Sequence, residues 1–254
     1  MIQERIEDNI VIATFDNGKF NSITHESLKI LGAIIKKVNE VDEIKGLIVT
    51  GAGKVFCSGF DLPMFLSFKD LDEVLAFFEE AEKIFIDFFT CKKPVVSVIN
   101  GAAMAGGLIL AMASDYRVCK NHPRIQLGMS ETKIGLGLSV TQTEIMRFGL
   151  DSNKKFREVM YFGERYNVEK AQELGLVDEL VADSQLIPRA KEIVSRWIDN
   201  PGRAFISLKH GLRFPAAERM RTYLKETNWQ DGFKCFFDPQ TRMSLEMVRK
   251  MMEG

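Results

Sequence analysis

Two glycine-bearing segments of the chain could present backbone N–H groups to a ligand. The first, residues 58–61, follows a short apolar run that ends at Cys57, and the second, residues 100–107, leads into an apolar helical pattern. Small residues let a ligand approach the main chain closely, and a helix N-terminus favours negative charge. Two such donors directed at one point would form an oxyanion hole. Taken one segment at a time, tight turns and close packing explain the glycines better.

Other catalytic and nucleotide-binding motifs fail on their spacing. Residues 51–54 end like a phosphate-binding loop, but Ile48 stands where that motif needs glycine and Val55 where it needs serine or threonine. Residues 135–137 lack the third glycine of a dinucleotide fingerprint, so a nicotinamide cofactor is not indicated. A metal site or a serine triad would need scattered parts, because the histidines are far apart: His25, His122 and His210. We therefore expect no metal.

The composition limits the class of partner and the compartment. The 254 residues carry 34 Lys and Arg against 35 Asp and Glu, and the net charge of −1 argues against a broad nucleic-acid footprint. Four cysteines without close pairing indicate free thiols, and the acidic N-terminus shows no secretory signal. Residues 94–114 carry no charge, but internal glycines favour a buried strand and helix over a membrane span. The sequence thus predicts a cytoplasmic protein that binds neither nucleic acid nor membrane.

Strand and helix patterns alternate along the first part of the chain. Short apolar runs at 46–50 and 55–57 are typical of buried strands, and residues 71–89 place apolar side chains around nearly the whole circumference of a helix. Past residue 139 the strand patterns mostly stop, and helical patterns follow. They include a methionine stripe typical of a core or a subunit interface: Met243, Met247 and Met251. The alternation predicts an α/β fold with mainly parallel strands.

Several segments taken together carry a family resemblance. On these motifs the chain resembles the crotonase superfamily, also called the enoyl-CoA hydratase/isomerase family, over roughly residues 1 to 240: 51–61, 93–101, 105–111 with Asp115, 127–135 and 171–178. The resemblance implies a spiral of strand-strand-helix (ββα) units, which we place at residues 1–198. It also implies a C-terminal helical region, placed at 199–254, that builds homotrimers, often paired into hexamers.

The resemblance also implies a substrate class and a set of site residues. Members of the family act on acyl-CoA thioesters, so coenzyme A is part of the substrate and no separate cofactor is expected. The two oxyanion donors of the family map onto the backbone N–H groups of Ser58 and Gly106, in the two loops that the residues alone single out. The other predicted substrate contacts flank these positions: Phe60, Asp61, Ala105, Gly107, Ile109 and Leu136. For Asp61 the main expectation is structural, as the residue that holds its turn.

One departure from the family pattern bears on the reaction. Hydratases of the family carry two catalytic glutamates, whereas here the first position is Ile109 and only the second, Glu131, is acidic. Adding water across a conjugated double bond needs one group for the water and one for the α-proton, but moving a double bond needs only a base that carries a proton from C2 to C4. The lone-glutamate pattern is similar to that of monofunctional Δ3,Δ2-enoyl-CoA isomerases of fatty acid metabolism. The resemblance therefore favours an isomerase with Glu131 as its base.

The neighbours of Glu131 predict its protonation behaviour. An apolar surround from Ile109 and Leu136 would disfavour the charged form and raise the pKa of Glu131 toward neutrality.

The alternatives to an isomerase are a hydratase or another crotonase reaction, such as thioester hydrolysis or decarboxylation, with a second acid or base drawn from elsewhere. A different class is a non-catalytic acyl-CoA-binding protein that keeps the fold. Lys54 or Lys209 is a candidate for the CoA phosphates, against the default of a solvated surface lysine.

Overall fold

The structure, a computed structural model, describes residues 1–253, with the side chains of residues 1–252. Its strands are β1 (Ile2–Glu7), β2 (Ile10–Phe15), β3 (Gly46–Gly51), β4 (Val55–Cys57), β5 (Val95–Ile99), β6 (Ala102–Met104), β7 (Tyr116–Lys120), β8 (Leu127–Gly128), β9 (Arg165–Tyr166) and β10 (Glu179–Val181). Its α-helices are α1 (His25–Glu40), α2 (Leu62–Ser67), α3 (Leu71–Phe89), α4 (Gly106–Ala113), α5 (Val140–Gly149), α6 (Asn153–Phe162), α7 (Val168–Leu174), α8 (Leu186–Ile198), α9 (Phe205–Glu226) and α10 (Pro239–Glu253).

The strands form two sheets. One has the order β1-β2-β3-β5-β7-β10, in which β1 is antiparallel to β2 and the later neighbours are parallel. The other has the order β4-β6-β8-β9 and is parallel except at β9. The predicted α/β fold with mainly parallel strands is confirmed. Two short strands, β9 and β10, follow residue 139, where the sequence predicted mostly helices.

Helix α3 contributes many side chains to the larger hydrophobic core. Asp70 caps its N-terminus by accepting a hydrogen bond from the Glu73 amide at 3.0 Å. Most of the helix is buried, as its all-round apolar pattern predicts: Val74, Phe77, Phe78, Ala81, Glu82, Ile84, Phe85, Ile86, Phe88 and Phe89. Neighbouring elements therefore pack against α3 on most of its sides.

The described residues bear on three predictions, which concern the cysteines, a membrane span and a metal site. The four cysteines are free thiols, as predicted. Within residues 1–253, no helix combines the length and the apolar character needed to cross a membrane. In the same part of the chain, no group of three or more His, Cys, Asp or Glu residues could hold a metal ion.

A buried ion cluster joins α9 to the start of β7. Asp115 pairs with the ammonium group of Lys209 at 2.5 Å and with the guanidinium group of Arg213 at 3.0 Å, and each of the three side chains is at most 7% exposed. Asp115 also accepts the amide of Val95, at the start of β5, at 2.8 Å. Because Lys209 is engaged in the interior, it is not a candidate for the CoA phosphates, and the expectation is wrong for Lys209.

We expect Asp115→Ala to destabilise the fold by about 3–5 kcal/mol, since it leaves two buried cations without their carboxylate. The free energy of unfolding should be measured by urea denaturation. Asp231→Ala is the matched control, because Asp231 pairs with Lys234 on the surface, where both side chains are more than 60% exposed and an ion pair contributes at most about 1 kcal/mol. Equal losses in the two variants would contradict the account of the cluster.

Candidate active site

The Ser58 amide is not available to a ligand. It donates to the carbonyl oxygen of Phe20 at 3.0 Å, because the loop after β4 runs beside the short 3-10 turn Gly18–Phe20. The hydroxyl of Ser58 lies 3.3 Å from that of Ser22. The prediction that the Ser58 amide is an oxyanion donor is therefore wrong, although the loop itself ends β4 as expected.

The amide that this loop leaves free belongs to Phe60. On either side of it the backbone is engaged: the carbonyl of Gly59 accepts the Ile23 amide at 2.7 Å, and the amide of Asp61 donates to the Ile23 carbonyl at 3.0 Å. The N–H of Phe60 makes no hydrogen bond to the described residues. Gly59 turns the chain at φ +98°, a left-handed conformation that a side chain would strain. The first loop thus offers one donor, two residues beyond the predicted one.

The second loop ends in a strained residue followed by a helix start. Ala105 has φ +52° and ψ −130°, and its amide donates to the Gly128 carbonyl at 2.9 Å. Such backbone conformations persist only where the surrounding structure imposes them, and they cluster at functional sites. Helix α4 begins at the next residue, so the amide of Gly106 is the first of the helix's unpaired N–H groups. It makes no hydrogen bond to the described residues.

The two loops touch, and glycines stand at their closest contacts. A methyl group on Gly59 would lie 3.0 Å from the nitrogen of Gly106, and one on Gly106 would lie 3.1 Å from the ring of Phe60. A methyl group on Gly107 would stand 2.2 Å from the carbonyl oxygen of Cys57, far inside van der Waals contact. The free amides of Phe60 and Gly106 are therefore on adjacent stretches of backbone, beside the positive end of α4.

Glu131 opens a 3-10 turn, Glu131–Ile134, shortly after β8. The turn ends at Gly135, with φ +78°, and the amide of Leu136 donates to the Glu131 carbonyl oxygen at 3.0 Å. The carboxyl Oε2 of Glu131 is buried without a hydrogen-bond partner among the described residues. Burial raises the pKa of Glu131 to about 7, partly offset by the backbone N–H groups of Glu131 and Ser130. The predicted rise in the pKa is confirmed, and a carboxyl of this kind can take and return a proton near neutral pH.

A cavity of about 310 Å³ lies between these elements. Among the side chains of residues 1–252, its lining holds one carboxylate, Glu131, and one cation, Arg165. Much of the rest is an aromatic wall: Phe20, Phe60, Phe65, Phe78 and Phe236. Helix α10 contributes Val248 and Met252 to the lining. An apolar cleft with few polar groups suits a ligand with an apolar chain and one reacting polar centre.

The cavity brings together about half of the predicted site residues: Ser58, Phe60, Ala105, Glu131 and Leu136. Gly106 adjoins it through its neighbour Ala105 and the ring of Phe60. The other three do not line it. Asp61 caps α2 by accepting the Met64 amide at 2.8 Å, the structural role that the sequence mainly indicated.

Gly107 and Ile109 also have packing roles. Gly107 lies against the carbonyl of Cys57, and Ile109 is 1% exposed in the core. None of Asp61, Gly107 and Ile109 is among the residues that line the cavity, so the lining gives no support to their predicted contact with the substrate.

Several cavity residues were not predicted from the sequence. Phe65 and Phe78 come from α2 and α3, and Gln142 comes from the first turn of α5. The apolar pattern of 71–89 predicted an enclosed helix, but it did not show which side chain faces a ligand. Val248 and Met252 lie more than a hundred residues from Glu131 in the chain, and no motif marks them.

A family model matches the chain over nearly its whole length. The model is described as enoyl-CoA hydratase/isomerase, and it matches residues 5–250. The chain belongs to the enoyl-CoA hydratase/isomerase family. Membership confirms the resemblance to the crotonase superfamily and makes the protein an acyl-CoA enzyme of that superfamily.

Solved structures of this family share the fold. Human mitochondrial Δ3-Δ2-enoyl-CoA isomerase superposes with a TM-score of 0.90 at 22% identity, covering 99% of this chain and 98% of that one. An enoyl-CoA hydratase from Bacillus halodurans gives 0.85 at 21% identity, over 97% and 99% of the two chains. A probable enoyl-CoA hydratase of Mycobacterium tuberculosis gives 0.80 at 22% identity, over 100% and 99%. At these identities the likeness establishes the fold, and both reaction names occur among the similar structures.

Proposed function

We propose that this family member is a Δ3,Δ2-enoyl-CoA isomerase, which moves the double bond of a 3-enoyl-CoA thioester to C2. The observation that carries the proposal is the single carboxylate, Glu131, among the described residues that line the cavity. Its pKa of about 7 suits a base that must also return the proton. By the family resemblance, Ile109 stands at the position of the hydratases' other glutamate. A 1,3-proton shift needs one such group, whereas hydration needs two.

In the proposed reaction, the thioester oxygen of the substrate lies between the amides of Phe60 and Gly106. Glu131, as the carboxylate, removes a proton from C2, and the electron pair of the broken C–H bond moves toward the carbonyl to give a dienolate. The carboxylic acid then returns the proton to C4, the carbonyl re-forms, and the remaining double bond lies between C2 and C3. No atom is gained or lost, so the reaction needs no cofactor beyond the CoA carried by the substrate.

Fixed donors would stabilise the charge that develops on the thioester oxygen. The Phe60 and Gly106 amides are held by the packing of two loops and make no other hydrogen bond within the described residues. The N-terminus of α4 adds positive potential at the same place. Donors that are already oriented need no reorganisation as the charge forms.

We expect kcat/KM for isomerisation to depend on one ionisation with a midpoint near the pKa of Glu131, about 7. The base works only when deprotonated, so the rate rises with pH, levels off above the midpoint and falls about a hundredfold two units below it. The profile should be measured with a 3-enoyl-CoA between pH 5 and 9 at constant ionic strength. A flat profile, or a midpoint in the ordinary range of a solvated glutamate, would contradict the assigned base.

The function itself is tested with two substrates. Purified protein is incubated separately with 3-hexenoyl-CoA and with crotonyl-CoA, and the absorbance of the conjugated enoyl thioester is followed. The proposal predicts a gain of absorbance on the first and no loss on the second, because one base moves a double bond but does not add water.

Each other outcome selects an alternative. Loss of absorbance with crotonyl-CoA indicates a hydratase, and release of free thiol indicates thioester hydrolysis. An inert protein that still binds acyl-CoA, measured by calorimetry, is a binding module. Any of these three results would overturn the isomerase proposal.

We also propose that the chain assembles through α9 as a homotrimer, alone or paired into a hexamer. Leu208 and Leu212 are 72% and 68% exposed one turn apart on this helix, beside the stacked rings of Trp197 and Phe205. Exposed apolar patches of this kind mark interaction surfaces. Light scattering coupled to size exclusion should report three or six chains, and a monomer would contradict the assembly.

The cytoplasmic location and the domain boundary at residue 198 stay predictions.

A further inference from the structure

Helix α3 buries a carboxyl group that the proposed reaction does not use. Glu82 is 1% exposed, and no cation pairs with it among the described residues. Its Oε2 accepts the backbone amide of Thr141 at 3.1 Å, whereas its Oε1 has no hydrogen-bond partner in that part of the chain. Burying a carboxyl group without full compensation is costly, so a hydrophobic residue would be the simpler choice at this core position.

The amide that Glu82 holds lies in the first turn of α5. Ser139 caps this helix and exchanges hydrogen bonds with Gln142 in a capping box, so the first turn is a defined unit. The Thr141 amide is one of the N–H groups that a helix start leaves unpaired, and Glu82 satisfies it from another helix. The carboxyl of Glu82 therefore joins α3 to the first turn of α5, where the side chains of Ser139 and Thr141 also interact with it.

This tie joins two walls of the cavity. Phe78, one turn before Glu82 on α3, lines the cavity, and so does Gln142, the residue after Thr141. The chain from Glu131 to Ser139 runs without a gap into the first turn of α5, and Leu136 and Leu138 of this segment also line the cavity. A shift of the α5 N-terminus would move the segment that carries Glu131 relative to the aromatic wall.

We propose that Glu82 is a positioning residue, which holds the first turn of α5 against α3 and thereby sets the place of Glu131 relative to the bound acyl chain. The inference rests on the proposed isomerase function, but the contact itself does not. Misplacing a reacting group by about 1 Å costs about a hundredfold in rate. The loss should therefore fall on kcat, whereas KM, set by the whole cavity and the CoA portion, changes little.

Three variants test the proposal with 3-hexenoyl-CoA. Glu82→Leu keeps the volume and removes the acceptor, Glu82→Gln keeps an acceptor oxygen for Thr141, and Glu79→Leu is the matched control at an exposed glutamate three residues earlier on α3. We expect kcat to fall at least about tenfold in Glu82→Leu with KM within about threefold, and to stay within about threefold of wild type in the other two. Hydrogen exchange followed by mass spectrometry should be faster over residues 131–142 in Glu82→Leu alone.

Each result decides the proposal. A folded Glu82→Leu with wild-type kcat and KM, even at a lower melting temperature, would show a purely structural role and overturn it, as would a Glu82→Gln that fails to restore kcat. If Glu82→Leu does not fold, Glu82→Asp draws the carboxyl back by one methylene, and wild-type kcat in that variant overturns the proposal. If the wild type does not isomerise, the proposed function fails, and exchange over 131–142 then decides whether Glu82 positions the segment.

Discussion

Glu131→Gln is expected to lower kcat for isomerisation by about 10²–10⁴-fold, the contribution of a positioned general base. Glutamine has nearly the same shape as glutamate, but its amide does not take the C2 proton. Binding of the acyl-CoA should change little, because the cavity wall and the two amides are unaltered. Steady-state kinetics with 3-hexenoyl-CoA and calorimetric titration with the product thioester measure the two effects separately.

The same substitution should stabilise the folded protein above neutral pH. The pKa of Glu131 is raised in the fold to about 7, so the folded state holds a proton that the unfolded chain loses at lower pH. The contribution of this group to the free energy of unfolding therefore falls as pH rises from its ordinary pKa of 4.5 to about 7, by at most about 3.5 kcal/mol at about 1.4 kcal/mol per pKa unit. Glu131→Gln removes this cost, so its melting temperature should exceed that of wild type at pH 8 and match it at pH 4.

Glu164→Gln is the control for both measurements. Glu164 pairs with Lys133 on the surface close to Glu131 in the fold, and its side chain is 58% exposed. It should keep wild-type kcat and gain no stability at pH 8. Full activity in Glu131→Gln would remove Glu131 from the mechanism, and equal melting temperatures at pH 8 would contradict its burial as a charged group.

Gly106→Pro is expected to lower kcat by about 10²–10³-fold relative to Gly106→Ala, which is the cost of one oxyanion donor. Proline is well tolerated at the first position of a helix, and it removes the amide hydrogen. Alanine keeps that hydrogen and places the same Cβ about 3.1 Å from the Phe60 ring, so it accounts for the effect of the Cβ. The ratio of the two kcat values therefore reports the loss of the N–H group together with the proline ring carbon that takes the place of its hydrogen.

The comparison requires that both variants fold, which circular dichroism and the melting temperature establish. A donor acts on the transition state more than on the bound substrate, so KM should be similar in the two variants. Equal kcat values would show that the Gly106 amide does not bind the developing oxyanion.

The sequence predicted the parts of the site that depend on local patterns. The start of α4 at Gly106 follows from a glycine pair before an apolar helical run, and the Asp61 cap follows from an acidic residue at a strand-to-helix turn. The lone carboxylate and its raised pKa follow from Glu131 with apolar neighbours. The helix start and the cap are decided by interactions within a few residues, whereas the raised pKa also needs the burial that the surrounding elements provide.

The sequence did not predict which amide of the first loop is free. That depends on the carbonyl of Phe20, nearly forty residues earlier, which takes up the amide of Ser58 and leaves that of Phe60 without a partner. Likewise, Ile109 points into the core because α4 is buried on all sides, a tertiary property that a motif position does not show. The contributions of α10 to the cavity and of Glu82 to the start of α5 are long-range contacts of the same kind.

The central claim is that one carboxyl group carries the proton from C2 to C4. It is tested most directly with 3-hexenoyl-CoA deuterated at C2, converted in ordinary water in a single turnover, with the product's C4 examined by mass spectrometry. Because a buried acid holds the abstracted deuteron before returning it, the account predicts that part of the label appears at C4. Complete loss of the label to solvent, or incorporation of water into the product, would contradict a single-carboxylate shuttle by Glu131.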